Sequence, residues 1–354
     1  MGILRLLLAL LVVNSHMYGD SYPTLLGGGD AVSIFFAISG FYMALILNGK
    51  YTKNADFYIN RYLRLYPSYA IVLFASVAWF GLLTIYTHQK PPPFWIYGAE
   101  QQMAWWQYAL LQFSNLTMIG LDVPSLFHWS AQKGFLFLHF NAGNTAPDGA
   151  FWGGYFPWIR QAWSVGAEIW FYVLAPFLVR RRWTLQLAVA IVSLAISVEM
   201  SALGLMSYYF FPANLWLFLT GSLMFAAYPA IKTFGRRLAW PALGGITLAC
   251  AFGGLVQNFA VHWTILLLVI TSVPLLFARF SSSTWDNAIG ELSYPVYLLH
   301  LLMIAMLKTV ANLSNTIVAC LATIAVAFVL VRLIEEPMGR YRQQRHQKAT
   351  ASLN

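Results

Sequence analysis

The stretch Arg5-LLLALLVVNS-His16 places an arginine and a histidine at the two ends of ten residues, of which only Asn14 and Ser15 are polar. Eleven steps along an α-helix, at about 100° and about 1.5 Å per residue, make three turns plus about 20°. Arg5 and His16 therefore lie on one stripe of one helix, about 16 Å apart. Ionisable side chains are costly inside a membrane. The pair either marks the two interfaces of an ordinary span or serves chemistry along the helix.

The composition surrounding this stretch is that of a polytopic membrane protein. Of the 354 residues, 59% are hydrophobic and only 9% are charged, whereas soluble domains carry about 25% charged residues. The long apolar runs predict membrane helices rather than barrel strands. We therefore expect an all-α polytopic fold embedded in a lipid bilayer. The ten predicted spans are 3–18, 30–48, 67–87, 163–179, 184–204, 207–228, 239–256, 261–278, 291–310 and 314–334.

The basic residues predict the orientation of these spans. Lys and Arg collect on the cytoplasmic side of membrane proteins, and here they follow the even-numbered spans, whereas the odd connections hold only Lys90, Lys133 and Arg160. Both termini are therefore expected in the cytoplasm. The net charge of +9 is explained by topology and requires no nucleic-acid partner. The basic groups are Lys50, Lys53, Arg61 and Arg64; Arg180, Arg181 and Arg182; Lys232, Arg236 and Arg237; Arg279; and Arg340, Arg342, Arg345 and Lys348.

One long connection, residues 88–162, is expected to form a large extracytoplasmic loop. Its segment Met103–Leu121 is apolar enough to suggest an eleventh span, but an eleventh span would place Arg180–Arg182 outside, against the charge rule. We interpret the segment as a re-entrant or interfacial helix. The aromatic residues of the loop are typical of an interfacial belt or of stacking on sugar rings, and both interpretations stay open. The polar residues that interrupt the segment are Gln107, Gln112, Ser114 and Asn115.

Two arginines, Arg61 and Arg64, precede Pro67 at the cytoplasmic start of the third span. Their spacing of three puts them on one helix face. Positive-inside anchoring explains them, and so does a phosphate clamp, because guanidinium groups bind phosphate in a bidentate manner. A helix start at Pro67, three residues after Arg64, favours the clamp.

The segment Trp163–Tyr172 opens the fourth span and carries Glu168 about a turn and a half into the bilayer from the outer face. His16 ends the first span at the same face. A carboxylate and an imidazole at equal depth are expected to pair, because the carboxylate orients the ring and raises its basicity. A passive interfacial hydrogen bond is the alternative.

Two further polar groups lie inside apolar segments. Ser39 and Gly40 in the second span favour close approach of another helix, and Ser39 as a nucleophile is a weaker alternative. His300, in the ninth span, is expected near the middle of the bilayer, where it forms a helix–helix hydrogen bond or lines the same path as His16. By depth, the polar groups describe a route from Arg5, Arg61 and Arg64 inside to His16 and Glu168 outside.

These landmarks resemble the acyltransferase-3 family of integral membrane acyltransferases, which includes bacterial O-antigen and exopolysaccharide O-acetyltransferases. Their order and spacing cover nearly the whole chain. In two places the chain departs from the family pattern: GGGD precedes AVSIFF, and Gly166 stands where a serine is common. The motifs that carry the resemblance are Arg5-x10-His16, FFAISGF (Phe35–Phe41), Arg61-x-x-Arg64 before Tyr66-Pro67, WSVGAEIWFY (Trp163–Tyr172), SYPVYLLH (Ser293–His300) and Glu336-Pro337.

The resemblance implies transfer of an acyl group, expected to be acetyl, from cytoplasmic acetyl-CoA or another acyl-CoA to a hydroxyl of an extracytoplasmic glycan or polysaccharide. It implies a multi-pass protein of the bacterial inner membrane. The transmembrane acyltransferase domain would cover residues 1–338, followed by a basic cytoplasmic tail, 339–354. The alternative is a transporter or flippase that uses the same polar route.

The site residues follow from the same resemblance together with the depth argument. His16, oriented by Glu168, would act as general base or carry the acyl group itself. The remaining assignments are donor binding by Arg5, Arg61 and Arg64 and a substrate path lined by Ser39, Trp163 and His300. No metal is expected, because the histidines lack the spacing of metal ligands.

Overall fold

A computed structural model of the chain describes residues 1–17, 22, 24, 26–87, 103–130, 134–137, 150–252 and 259–351. Within these residues the helices are α1 (Gly2–Ser15), α2 (Gly28–Gly49), α3 (Asn54–Thr87), α4 (Trp105–Thr117), α5 (Trp163–Leu178), α6 (Trp183–Ala202), α7 (Phe211–Phe252), α8 (Phe259–Phe280), α9 (Thr284–Ala311), α10 (Thr316–Leu330) and α11 (Glu336–Ala351). A π-helical turn, Val331–Glu335, joins α10 to α11. The same described residues contain three short strands: β1 (Phe127–Ser130), β2 (Gly134–Phe137) and β3 (Phe151–Trp152).

Seven of the described helical segments are long and apolar enough to cross a membrane, which confirms the predicted helical, polytopic fold. Helix α1 is apolar but has 14 residues, about 21 Å, which is less than the about 30 Å of a hydrocarbon core. The count of ten spans and the cytoplasmic termini stay predictions. The seven segments are Gly28–Gly49, Asn54–Tyr86, Trp183–Ala202, Phe211–Leu248, Trp263–Phe280, Thr284–Ala311 and Thr316–Lys348.

The predicted helix boundaries are wrong in two places where a proline lies inside a helix. The expected start of a helix at Pro67 is wrong, because α3 begins at Asn54 and contains that proline. The expected break between residues 228 and 239 is also wrong, because α7 runs unbroken through Pro229 and Pro241. A proline inside a helix removes one backbone hydrogen bond and crowds the preceding turn, which disfavours an isolated helix. Other backbone bonds and neighbouring groups support prolines in membrane helices.

The described residues form two compact units. The first comprises those within Met1–Arg64, Ala175–Leu187 and Leu217–Asn354. In it, α1 runs alongside α9 in the same direction, since Gly2 meets the backbone of Asp286 and His16 meets His300. The predicted topology likewise gives these two odd-numbered spans one direction.

Asp286 fixes the beginning of α1. Its carboxylate accepts hydrogen bonds from the backbone N–H groups of Gly2 (2.7 Å) and Ile3 (3.1 Å). These are two of the four N–H groups that a helix leaves without a partner at its N-terminus. Gly2 has no side chain to keep the two helices apart: a β-carbon there would lie 1.6 Å from the Asp286 carbonyl oxygen.

Two glycines bring α2 and α7 into backbone contact. A β-carbon on Gly40 would lie 1.8 Å from the carbonyl oxygen of Phe218, and one on Gly221 would lie 1.9 Å from that of Ala37. The approach is possible only without side chains at both positions. The predicted packing role of the Ser39-Gly40 pair is therefore confirmed for Gly40.

Arg180 holds the connection between α2 and α3. Its guanidinium group donates to the carbonyl oxygens of Leu47 (3.3 Å) and Tyr51 (2.6 Å) and to the side-chain oxygen of Asn54 (2.8 Å). A cation at a helix C-terminus satisfies carbonyls that lack an intrahelical partner. This residue, interpreted from sequence only as a topology signal, also has a structural role.

The second unit comprises the described residues of Leu65–Leu174 and Ala188–Trp216. It contains an antiparallel sheet in the order β2-β1-β3, which the sequence did not predict because β3 has only two residues. Helix α4 packs on this sheet through Leu111, which is buried with Trp129 and Phe156.

Asn115, one of the polar residues of α4, is held by hydrogen bonds within the second unit. The side-chain amide of Asn115 donates to the backbone carbonyl of Leu111 (2.9 Å) and accepts from the backbone N–H of Trp158 (2.9 Å). The backbone carbonyl of Asn115 accepts from the Tyr69 hydroxyl (2.7 Å). With 13 residues, α4 is about 20 Å long and too short to span a bilayer. Its length agrees with the interpretation of this segment as a re-entrant or interfacial helix.

Candidate functional site

The centre of the candidate site, in the first unit, is a pair of histidines. The ring centroids of His16 and His300 lie 4.9 Å apart, with 55° between the ring planes. His16 follows the last residue of α1 and is half-buried, whereas His300 lies within α9 and is fully buried. The prediction that His300 lies at a different depth from His16 is therefore wrong.

The depth error has a physical cause. The predicted ninth span began at residue 291, which left Asp286 outside it. Helix α9 begins at Thr284, capped by the Ser283 hydroxyl, which accepts from the N–H of Asp286 (3.4 Å). The carboxylate of Asp286 is needed inside the fold to bind the start of α1.

Backbone contacts fix the same tautomer in both histidines. Nδ1 of His16 lies 2.9 Å from the carbonyl oxygen of Val12, and Nδ1 of His300 lies 2.7 Å from that of Tyr297. A carbonyl oxygen only accepts, so each Nδ1 carries the proton, and in a neutral ring Nε2 is then the unprotonated nitrogen. Nε2 of His300 is buried and has no hydrogen-bond partner among the described residues. One pair of neighbouring rings thus holds two unprotonated nitrogens.

The position of His16 also suits a residue that gains a proton. The C-terminus of a helix carries a partial negative charge that stabilises a nearby cation. His16 is the first residue after α1, and its ring is bonded to a carbonyl of the last turn. An imidazolium formed there would be stabilised by that charge.

The predicted donor-binding arginines are close together. Arg64, on α3, interacts electrostatically with Arg5, on α1, and with Arg61, three residues before it on α3. The three residues belong to the first unit, with Arg5 at the opposite end of α1 from His16. The structure therefore brings together the three cations that the sequence grouped by type and spacing.

Glu335 is an ion-pair partner of Arg64 that sequence reasoning missed. Its carboxylate pairs with the Arg64 guanidinium, and Glu335 is 7% exposed. The sequence contained a signal, the adjacent acidic residues Glu335 and Glu336 just after the last predicted span. Glu336 bonds Arg332 on its own helical segment at 2.5 Å, whereas Glu335 pairs with Arg64.

Glu168 and Trp163 belong to the second unit. The Glu168 carboxylate accepts a hydrogen bond of 2.5 Å from the Tyr172 hydroxyl, one helical turn on. Because Glu168 and His16 lie in separately described units, their pairing stays a prediction. Trp163 is packed with Tyr208 and Tyr209, at ring-centroid distances of 4.6 and 4.8 Å.

Asp122 is a second carboxylate of that unit that the sequence analysis did not select. It is 3% exposed and accepts a hydrogen bond from the Trp170 indole (3.1 Å). Burial raises the pKa of Asp122 to about 6. Gly166 allows the backbone of Asp122 to pack closely against α5, since a β-carbon at Gly166 would lie 2.9 Å from the Asp122 backbone nitrogen. The glycine that replaces the common serine thus has a packing reason.

Comparison with known proteins gives one family. A family model described as "Acyltransferase domain", Acyl_transf_3, matches residues 1–332. No curated protein and no solved structure matches the chain. The matched range contains every site residue named from the sequence.

Proposed function

This chain belongs to the acyltransferase-3 family, and from that membership we propose that it is an O-acyltransferase of the bacterial inner membrane. It transfers an acetyl group from cytoplasmic acetyl-CoA to a hydroxyl of an extracytoplasmic glycan. The observation that carries the proposal is the paired imidazoles of His16 and His300 at one end of α1, with the cation Arg5 at the other.

The positive charges near Arg5 support binding of the acyl donor at that end of α1. Arg61 and Arg64, together with Arg5, bind the diphosphate of coenzyme A, because guanidinium groups form strong charge-assisted bonds to phosphate oxygens. The pantetheine arm extends from there towards His16. Arg5 and His16 are about 16 Å apart along the helix, a separation comparable with the extended length of that arm.

The transfer step is assigned to His16. Its Nε2 takes the proton of the acceptor hydroxyl while the oxygen attacks the thioester carbonyl carbon. The carbon–sulfur bond then breaks, and the departing thiolate of coenzyme A takes the proton from Nε2. Because Nδ1 of His16 donates to the Val12 carbonyl, Nε2 is the unprotonated nitrogen of the neutral ring and takes part in this exchange. Glu168 orients the imidazolium or stabilises its charge.

A glycan acceptor is supported by the aromatic residues of the second unit. Trp163, Tyr208 and Tyr209 are grouped in one cluster. Aromatic side chains of this kind present apolar faces together with polar edges, which suits a sugar ring that carries hydroxyl groups.

The test is expression of the wild-type chain and of His16→Ala in cells lacking it, followed by mass spectrometry of the surface glycans. We expect one acyl mass unit on each modified residue with the wild type and none with the variant, at equal amounts of membrane protein. Full acylation by the variant would overturn the role of His16. Movement of a glycan across the membrane without consumption of acyl-CoA would replace the enzyme with a transporter.

A further inference from the structure

Helix α11 lies beyond residue 332, where the family match ends, yet it packs on the connection between α2 and α3. The guanidinium of Arg345 bonds the carboxylate of Asp56 at 3.2 Å. The ring of His346 lies 5.1 Å from that of Tyr51, which is buried. These two contacts dock the basic C-terminal segment on the first unit.

The docked face of α11 also carries Arg342. Arg342, Arg345 and His346 are spaced by three and four residues, so they share one side of the helix. All three are half-buried, whereas Arg340 is exposed. The face turned towards the unit is therefore basic, and Arg342 is the cation on it that lies nearest to the π-helical turn with Glu335.

Arg342 joins the cations already described. It interacts electrostatically with Arg64 and with Lys50, which follows the last residue of α2. Burial first, and then the like charges of Arg61 and Arg342, lower the pKa of Lys50. The side-chain ammonium of Lys50 lies 5.5 Å from the ring centre of Tyr51, so the connection that receives α11 also holds this lysine.

The cluster has more positive than negative charge. Arg64 and Lys50 interact with three further cations, Arg5, Arg61 and Arg342, and the carboxylates that act on Arg64 are Glu335 and Glu291. Cations therefore outnumber carboxylates among these groups. Like charges held together are unfavourable, and a region of one sign concentrates ions of the opposite sign. A cluster of this kind is expected to bind a ligand with several negative charges.

We propose that Arg342 and Lys50 bind the 3′-phosphate of coenzyme A. The inference rests on the proposed function and extends it to a residue outside the matched family range. Along coenzyme A, the diphosphate lies between the pantetheine arm and the ribose phosphate. Arg5 shares α1 with His16, so Arg5 and Arg64, which interacts with it, take the diphosphate. Arg342 and Lys50, on α11 and at the end of α2, then take the phosphate farther from the thioester.

Phosphate groups of anionic lipids have the same chemistry, and the experiment separates the two sources. Binding of coenzyme A and of dephospho-coenzyme A, which lacks the 3′-phosphate, is measured by calorimetry on the full chain in phosphatidylcholine nanodiscs. A second series uses nanodiscs that contain phosphatidylglycerol. The variants are Arg342→Gln, Arg342→Lys and Lys50→Gln, and Arg340→Gln is the matched control on the same helix.

We expect Arg342→Gln to weaken coenzyme A binding about tenfold and dephospho-coenzyme A binding less than twofold. Lys50→Gln should also weaken coenzyme A binding, and Arg342→Lys should lose less affinity than Arg342→Gln. Arg340→Gln should bind both ligands as the wild type does. Equal losses for the two ligands, no loss at all, or a loss seen only in anionic lipid would overturn the assignment. A wild-type chain that binds neither ligand would instead refute the proposed function.

Discussion

The imidazole rings of His16 and His300 are in contact, although the two residues come from opposite ends of the chain. Both rings are bonded through Nδ1 to a carbonyl of their own helix. The buried Nε2 of His300 has no hydrogen-bond partner among the described residues, and an unsatisfied buried polar group costs about 1–3 kcal/mol. A bound substrate or a transferred proton would remove this cost by forming a bond with Nε2.

This pair leads to a prediction about His300. Asparagine reproduces the Nδ1 position of histidine, and glutamine approximates the position of Nε2. We expect His300→Asn to lower kcat about 100-fold and His300→Gln to retain a larger part of the rate, measured with acetyl-CoA in nanodiscs. Both variants should keep the wild-type melting temperature within a few degrees. Equal rates for the two variants would show that Nε2 of His300 has no part in the reaction.

The second prediction concerns Glu168, whose carboxylate accepts from the Tyr172 hydroxyl at 2.5 Å. If Glu168 stabilises the imidazolium of His16, Glu168→Gln should lower kcat at least 100-fold and leave the KM for acetyl-CoA within twofold. Tyr172→Phe removes only the hydroxyl and should lower kcat less than tenfold. An increase in KM with an unchanged kcat would place Glu168 in donor binding instead.

Residue types and spacing were sufficient to predict part of this site. The spacing of Arg5 and His16 predicted one helix with a cation at one end and an imidazole at the other, and α1 has this arrangement. The three-residue spacing of Arg61 and Arg64 predicted a shared face, and in the structure the two guanidinium groups interact electrostatically. These predictions depend on local helix geometry, which the sequence determines directly.

The contacts between distant segments could not be predicted. The pairing of Arg64 with Glu335 depends on how two distant helices cross. The contact of His16 with His300 depends on the start of α9 at Thr284. Because Asp286 is polar, the sequence did not indicate that the helix begins there. A single sequence reports the depth of a residue only through the ends of its helix, and polar residues that serve another helix obscure those ends.

The third prediction tests the ion pair of Arg64 with Glu335. Glu335→Gln leaves a partly buried guanidinium among like charges, so the free energy of unfolding should fall by about 2 to 3 kcal/mol. Coenzyme A should raise the melting temperature of this variant more than that of the wild type, because the bound phosphates replace the missing charge. Glu336→Gln is the control. Its carboxylate pairs with exposed Arg332, and a surface pair contributes less than about 1 kcal/mol.

The fourth prediction is a pH dependence that arises from Asp122. Burial raises the pKa of this carboxyl to about 6, so the folded chain holds a proton that the unfolded chain releases near pH 4. Stability contributed by this group therefore decreases as pH rises from about 4 to about 6, by at most about 3 kcal/mol. Asp122→Asn keeps an oxygen for the Trp170 indole and removes the titration. Melting temperatures of the two proteins should converge near pH 4 and diverge above pH 6, with the variant more stable; parallel curves would contradict the assignment.

The last prediction concerns the backbone contact between α2 and α7. Gly221→Ala places a methyl group where the carbonyl oxygen of Ala37 lies 1.9 Å away, so the two helices must separate, at a cost of about 3 kcal/mol or more. Gly244 lies on the same helix, and a β-carbon there would meet nothing within 4 Å. Gly244→Ala should therefore be neutral or stabilising, by about 0.5–1 kcal/mol, because alanine favours a helix over glycine. Thermal unfolding in one detergent compares the two variants with the wild type. Equal melting temperatures for Gly221→Ala and Gly244→Ala would mean that α2 and α7 do not meet backbone to backbone.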